Sequence, residues 1–148
     1  MKPHGAPGRG ILLVSHDREL KRQFRACLSA VGIATGALTS LRSGEECLTA
    51  LARVRPRLIV LDDSVAALDG PGLLRALHQQ APEVLIIYLT IAHTLDLERV
   101  VRQSGVLYYT EKPPDSVLLT KVLASVFAPA LGTGWRRTPA LSYSVSRR

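Results

Sequence analysis

The chain has 148 residues, the size of one domain, and 47 % hydrophobic against 21 % charged side chains, which excludes a disordered or fibrous class. Its formal charge of +7 sits at the ends: Lys2 and Arg9 precede residue 11, Arg136, Arg137, Arg147 and Arg148 follow residue 128, and the body between holds 13 basic against 12 acidic residues. A specific nucleic-acid surface on the folded part is therefore not expected.

Short runs rich in Ile, Val and Leu alternate with segments of helical period, the pattern of βα units around a parallel sheet. Strands are expected at 11–15, 33–38, 58–62, 84–90 and 106–110. After the first strand, Leu20, Phe24, Cys27, Leu28 and Val31 form one stripe of an amphipathic helix that Gly32 stops. "SGEE" at 43–46 has the capping-box form, with Ser43 as cap and Glu46 at the third helical position, so a second helix should run to about Val54. Gly70 and Pro71 open a third, carrying Leu73, Leu74 and Leu77. Thr94 caps a fourth that ends before Gly105. Asp115 caps a fifth, with Leu118, Leu119, Val122, Leu123 and Val126 on one face and Pro129 closing it.

Strict alternation of five strands and five helices fits an α/β fold: a flavodoxin-like, doubly wound five-stranded parallel sheet, (βα)5, in three α/β/α layers. Residues 1–10 are expected to be a flexible arm, 11–128 the domain, and 129–148, "PALGTGWRRTPALSYSVSRR", a basic disordered tail. No output domain is expected on the chain. The longest apolar runs, such as "VLIIYL" at 84–89, are too short to cross a bilayer, and the N-terminus lacks the apolar segment of a signal peptide, so the expected location is cytoplasmic. Cys27 and Cys47 fall at apolar helix positions and read as buried, reduced thiols.

In such a sheet, chemistry gathers at the carboxyl ends of the strands. Those ends carry "SHD" at 15–17, "DDS" at 62–64, Thr90, and "EKPP" at 111–114. A carboxylate, a hydroxyl and an ammonium on neighbouring strands form a candidate anion-handling site, with Asp62 as acceptor or ligand and Thr90 and Lys112 as donors. Asp63 should be a solvated loop carboxylate, turned away from Asp62 by the period of the strand. His78 and His93 have no visible partner, His4 lies in the arm, and His16 reads as a solvated or hydrogen-bonded side chain. The glycines of "GAPGRG" precede the first strand and no Walker lysine follows a Gly-rich turn, so neither nucleotide loop is present.

With these residues the chain resembles the receiver domain of bacterial two-component response regulators over about 11–128. "LIVLD" ends at Asp62, where the family has its phosphoacceptor, and Asp69 and Gly70 stand seven and eight residues on, as Asp-Gly does there. Thr90 and Lys112-Pro113, 22 residues apart, match the Ser/Thr and Lys-Pro after the fourth and fifth strands, and Tyr109 sits at the switching aromatic. The resemblance implies phosphoryl contacts from Thr90 and Lys112 and a magnesium ion held by Asp62 and the backbone carbonyl of Ser64. Two acids after the first strand complete that site in the family. Here Ser15 and His16 take their places and Asp17 falls one residue late, so it is a candidate substitute ligand only through a one-residue slip of the loop.

Neither serine nor histidine replaces the charge of a carboxylate for a hard cation. Three carboxylates and one lysine would leave a site near −2 that needs a cation, whereas Asp62 with Lys112 alone is near neutral. Magnesium is therefore expected to bind weakly, with no other cofactor. The expected function is an atypical receiver, not an enzyme, that acts chiefly through protein interaction with weak or no phosphorylation. An active phosphoacceptor in a phosphorelay, modified on Asp62, is the alternative, and an unrelated flavodoxin-fold enzyme or nucleotide binder a third. Expected partners are a histidine kinase or phosphotransferase protein, or a downstream signalling protein.

Overall fold

The computed structural model describes residues 10–65 and 69–127. The arm before residue 10 and the tail from 129 onward, with the expectations made for them, lie outside the described residues.

Apolar runs with a hydrophobic side chain at nearly every position form the three central strands, buried on both faces, and partly exposed strands flank them. These are β1 (Ile11–Val14), β2 (Leu38–Leu41), β3 (Leu58–Asp62), β4 (Leu85–Thr90) and β5 (Tyr108–Glu111). All pair in parallel, in the order β2-β1-β3-β4-β5. Between them run α1 (Arg18–Ala30), α2 (Gly44–Leu51), α3 (Gly70–Gln80) and α4 (Leu95–Gln103), and α5 (Ser116–Phe127) follows β5. Alternate strand residues feed two cores. Ile11, Leu13, Leu58, Val60, Ile87, Leu89 and Tyr108 pack with Phe24 and Leu28 of α1 and Leu119 and Leu123 of α5. Leu12, Val14, Ile59, Leu61, Ile86, Tyr88 and Tyr109 pack with Cys47 of α2, Leu74 and Leu77 of α3 and Val101 of α4. This is the expected doubly wound, three-layer α/β/α sheet.

The expected caps are present. Ser43 Oγ accepts from Glu46 N, Thr94 Oγ1 from Leu97 N, and Asp115 Oδ1 from Val117 N and Leu118 N. Glu46 reaches back one residue further than a capping box requires, to Arg42 N at 2.8 Å. Asp69 caps α3 by accepting from Gly72 N. Cys27 and Cys47 are buried free thiols, and burial pushes the Cys47 pKa up to about 12.

Three elements differ from the sequence expectation by more than one residue. The second strand is Leu38–Leu41, not 33–38. Gly32, at φ 82°, closes α1 with a pair of reversed hydrogen bonds, Ile33 N to Leu28 O and Gly32 N to Ser29 O, so Ile33 is buried as the hydrophobic plug of a helix terminus. A 3₁₀ turn over Thr35–Ala37 then delays the edge strand, whose Thr39 and Ser40 carry no apolar signal. Helix α2 stops at Leu51 rather than near Val54, because Arg53 and Val54 bond back to Ala50 O in a turn. The fifth strand begins at Tyr108 instead of 106.

Candidate functional site

The register Val14↔Leu61 carries β1 and β3 out of the sheet side by side, so the next residues, Ser15 and Asp62, are neighbours. Asp62 is fully buried and both its oxygens are taken. Oδ2 accepts from Ser15 Oγ at 2.6 Å and from Lys112 Nζ at 2.8 Å. Oδ1 accepts from Ser64 N at 3.0 Å and Ser64 Oγ at 2.6 Å. Burial alone would raise the Asp62 pKa, but the hydrogen bonds from Lys112, Ser15 and Ser64 outweigh it and hold the carboxyl below its ordinary range. These are charge-assisted bonds, which makes the cage both short and strong.

Asp17 enters the same cluster from one position late in the sequence. Its Oδ1 caps α1 through Glu19 N and Leu20 N, while its Oδ2 lies 2.9 Å from Lys112 Nζ. The Lys112 ammonium therefore stands between two carboxylates and also donates to Ser64 Oγ at 3.2 Å. Its bond to Lys112, ahead of those from Leu20 and Glu19 N–H, lowers the Asp17 pKa. Desolvation would lower the Lys112 pKa, but Asp62 and Asp17 raise it on balance. The cluster carries −1, not the near-neutral charge expected of Asp62 with Lys112 alone, and the α1 N-terminus offsets part of it.

His16 is turned out of the site: it is exposed, and Nε2 lies 3.0 Å from Arg42 O. Thr90 is buried at the end of β4, where its Oγ1 accepts from Ala92 N at 3.1 Å and makes no hydrogen bond to Asp62. Asp63 does point away from Asp62, but it is half-buried rather than solvated. Its Oδ2 accepts from Tyr88 OH at 2.9 Å. Tyr109 stacks on Tyr88, with centroids 5.9 Å apart and planes 13° from parallel. The supposedly partnerless His93 bonds Tyr109 OH through Nδ1 at 2.9 Å. Burial, and then the Asp63 carboxylate, raise the Tyr88 pKa, and burial followed by Glu98 pushes Tyr109 up to about 12, so both phenols stay protonated.

The residues present fit a magnesium ion poorly. Such an ion takes a near-octahedral set of free oxygens, yet the two carboxylates here already accept N–H and O–H donors on every oxygen, and an ammonium lies between them. Among the described residues, no three His, Cys, Asp or Glu side chains come together as a metal centre.

A model of the response regulator receiver domain matches residues 11–124, which covers the whole sheet and most of α5. The chain belongs to the response regulator receiver domain family. It is thus a receiver domain of two-component signalling. It is 30 % identical over 108 residues to the DNA-binding transcriptional regulator NtrC of Salmonella typhimurium, covering 72 % of this chain and 22 % of that protein. The C4-dicarboxylate transport transcriptional regulatory protein DctD of Pseudomonas aeruginosa is 29 % identical, over 76 % of this chain and 24 % of its own length. The chain thus spans about a quarter or less of these relatives. Among solved structures, the signal receiver domain of an HD domain-containing protein from Pseudomonas fluorescens aligns at TM-score 0.69 and 28 % identity, over 82 % of this chain and 96 % of that one. A Burkholderia pseudomallei response regulator with a phosphorylated aspartic acid, calcium ion and citrate shares the fold at TM-score 0.65 and 17 % identity, over 78 % of this chain and 66 % of that one. No described helix is long and apolar enough to cross a membrane.

Sequence reasoning missed Ser15 and the Ser64 hydroxyl as donors to Asp62, and Tyr88 and His93 as partners. Ser15 was legible only as a missing acid. Its role follows from the β1–β3 register, which no local pattern states.

Proposed function

We propose that this receiver works chiefly as a protein-interaction module in which Asp62 takes phosphate slowly or not at all. Asp62 is the position of the family's phosphoacceptor, with Thr90 and Lys112 as phosphoryl contacts and Tyr109 as the switching aromatic. Magnesium binding is weak. The partner is a histidine kinase, a phosphotransferase protein or a downstream signalling protein, and the working unit is residues 11–128 in the cytoplasm.

One observation carries this reading: the Asp62 carboxylate already has four donors from the protein, with Lys112 bridging it to Asp17. Phosphoryl transfer needs a free carboxylate oxygen and a cation on the equatorial oxygens. Here the nucleophile must first shed Ser15 or Lys112, and the cation must displace an ammonium. The alternative, an active phosphoacceptor, draws on Asp62, Lys112 and Asp17 lying together. Incubation with a small acyl phosphate and magnesium, followed by intact-mass measurement, separates the two. Little or no adduct is expected. Rapid, magnesium-dependent addition that disappears in Asp62→Asn would establish the phosphorelay reading instead.

A further inference from the structure

We propose that Gln23, on α1, is a positioning residue that ties α1 to the β5–α5 loop and so holds the Lys112 ammonium between Asp17 and Asp62. Its side-chain Nε2 donates to Pro114 O at 2.7 Å and to Ser116 Oγ at 2.8 Å. The two helices also pack through Phe24 and Leu28 of α1 and Leu119 and Leu123 of α5. Gln23 adds a directional bond at the edge of that apolar contact.

The loop has little else to fix it. From Lys112 it reads Lys-Pro-Pro-Asp, and the two prolines have no N–H with which to bond a neighbouring element. Lys112 N is held by Thr90 O at 2.9 Å, and Asp115 is engaged in capping α5. Pro114, between them, is buried, and Gln23 supplies the donor for its carbonyl. Cys27, one turn further along α1, contributes only a long thiol contact to Ser116 O at 3.7 Å.

Helix α1 therefore grips this loop at two points. Asp17, its N-cap, meets Lys112 Nζ at 2.9 Å, and Gln23 meets Pro114 and Ser116. At about 1.5 Å per residue the two points lie roughly 9 Å apart along the axis, far enough to set the orientation of the helix against the loop. Lysine is a flexible stem with three rotatable donors, so its own side chain does not select a pose shared by two carboxylates. With both points made, Asp17 Oδ2 and Asp62 Oδ2 stand 2.9 and 2.8 Å from one ammonium. Without Gln23, the polar ties between α1 and the loop among the described residues reduce to the Lys112 pair and the long Cys27 contact, and the ammonium is freer to leave one carboxylate. This deepens the proposed function and rests on it in taking the shared ammonium as what keeps a metal ion off the carboxylates. Gln23 then sets the preference of the site for ammonium over metal.

The test is the exchange of the Lys112 ammonium protons with water, followed by NMR with no magnesium or phosphodonor present. Gln23→Leu keeps the bulk of the side chain and removes both donations, whereas Gln23→Lys returns a donor for the same two oxygens. Exchange at Lys112 should rise about fivefold in Gln23→Leu, the worth of one ordinary hydrogen bond, and return to within about twofold of the parent in Gln23→Lys. The buried amides of β3 should keep their parent rates, which separates positioning from a general loss of stability. An unchanged ammonium rate in Gln23→Leu, a rise that Gln23→Lys does not reverse, or equal quickening at β3 would each overturn the proposal. Should Gln23→Leu fail to fold, Ser116→Ala takes its place with an expected rise of about twofold, and an unchanged rate there would overturn it as well. No metal enters this measurement, so tight magnesium binding by the parent would count against the proposed function while the ammonium rates still decide the role of Gln23.

Discussion

Two polar clusters sit side by side at the carboxyl edge of one sheet, and they are satisfied to different degrees. In the acidic corner, Asp62 is fully buried with every acceptor used and Lys112 shared between two carboxylates. In the aromatic corner, Arg102 keeps a buried nitrogen with no partner among the described residues, and Ile91 and Leu95 on either side of His93 stand exposed. Completed bonding in low dielectric resists rearrangement, whereas an incomplete network has something to gain from one. The acidic corner therefore reads as a lock, and the aromatic corner as the part free to respond.

Breaking the lock should give the largest effect. Lys112→Met leaves Asp62 buried without its cation and should destabilise the domain by about 3 kcal/mol, seen as a lower midpoint in urea. The companion change Asp62→Asn should cost less, because the amide oxygen can still accept from Ser64, its NH2 can donate to Ser15 Oγ, and Lys112 keeps Asp17 as its partner. In the aromatic corner, Gly70→Ala forces a methyl group against Tyr88 and should cost about 2 kcal/mol, of which Gly70→Ala/Tyr88→Phe should recover only a part, because the ring carbons Cζ and Cε2 would still lie 2.7 and 2.9 Å from the new Cβ.

Ser15→Ala should cost about 1.5 kcal/mol, as a lost hydrogen bond to a charged group does. This side chain shows how far the sequence could be read. The caps Ser43, Thr94 and Asp115 were legible because capping needs only residues within a few positions. So was the αβ alternation, and so was the set Asp62, Thr90 and Lys112 at the strand ends. Ile33 misled because a helix plug and a strand opening are both short apolar signals, and only the left-handed Gly32 and the reversed hydrogen bonds separate them. Asp63, Tyr88 and His93 were silent because cross-strand partners depend on register, which one chain's pattern does not print.

The pH profile separates the corners next. The pKa values of Asp62 and Asp17 are lowered on folding, so their stabilisation is complete above the ordinary carboxylate range and is lost as pH falls below about 3.8. The raised Lys112 pKa acts in the other direction: its share is complete below 10.5 and is lost as pH rises beyond it. Melts of the parent should show the acid limb, and Asp62→Asn should flatten it. The smallest effect belongs to an exposed pair. Arg22→Ala removes the Arg22–Glu19 contact, with both side chains about three-quarters exposed, and should change stability by no more than about 0.3 kcal/mol. A loss there comparable to that of Lys112→Met would show that burial is not what makes the acidic corner strong.

In the proposed reading, protein donors, with the Lys112 ammonium between Asp17 and Asp62, take the place that a metal ion would fill. Titrating magnesium into the protein while following the Asp62, Ser64 and Lys112 amide signals tests it most directly. Small, linear shifts with no saturation below about 1 mM are expected of a site without free carboxylate oxygens. Saturable binding well below that concentration, with the Asp17 signal moving in step, would show that the carboxylates exchange the ammonium for the metal and would contradict the lock.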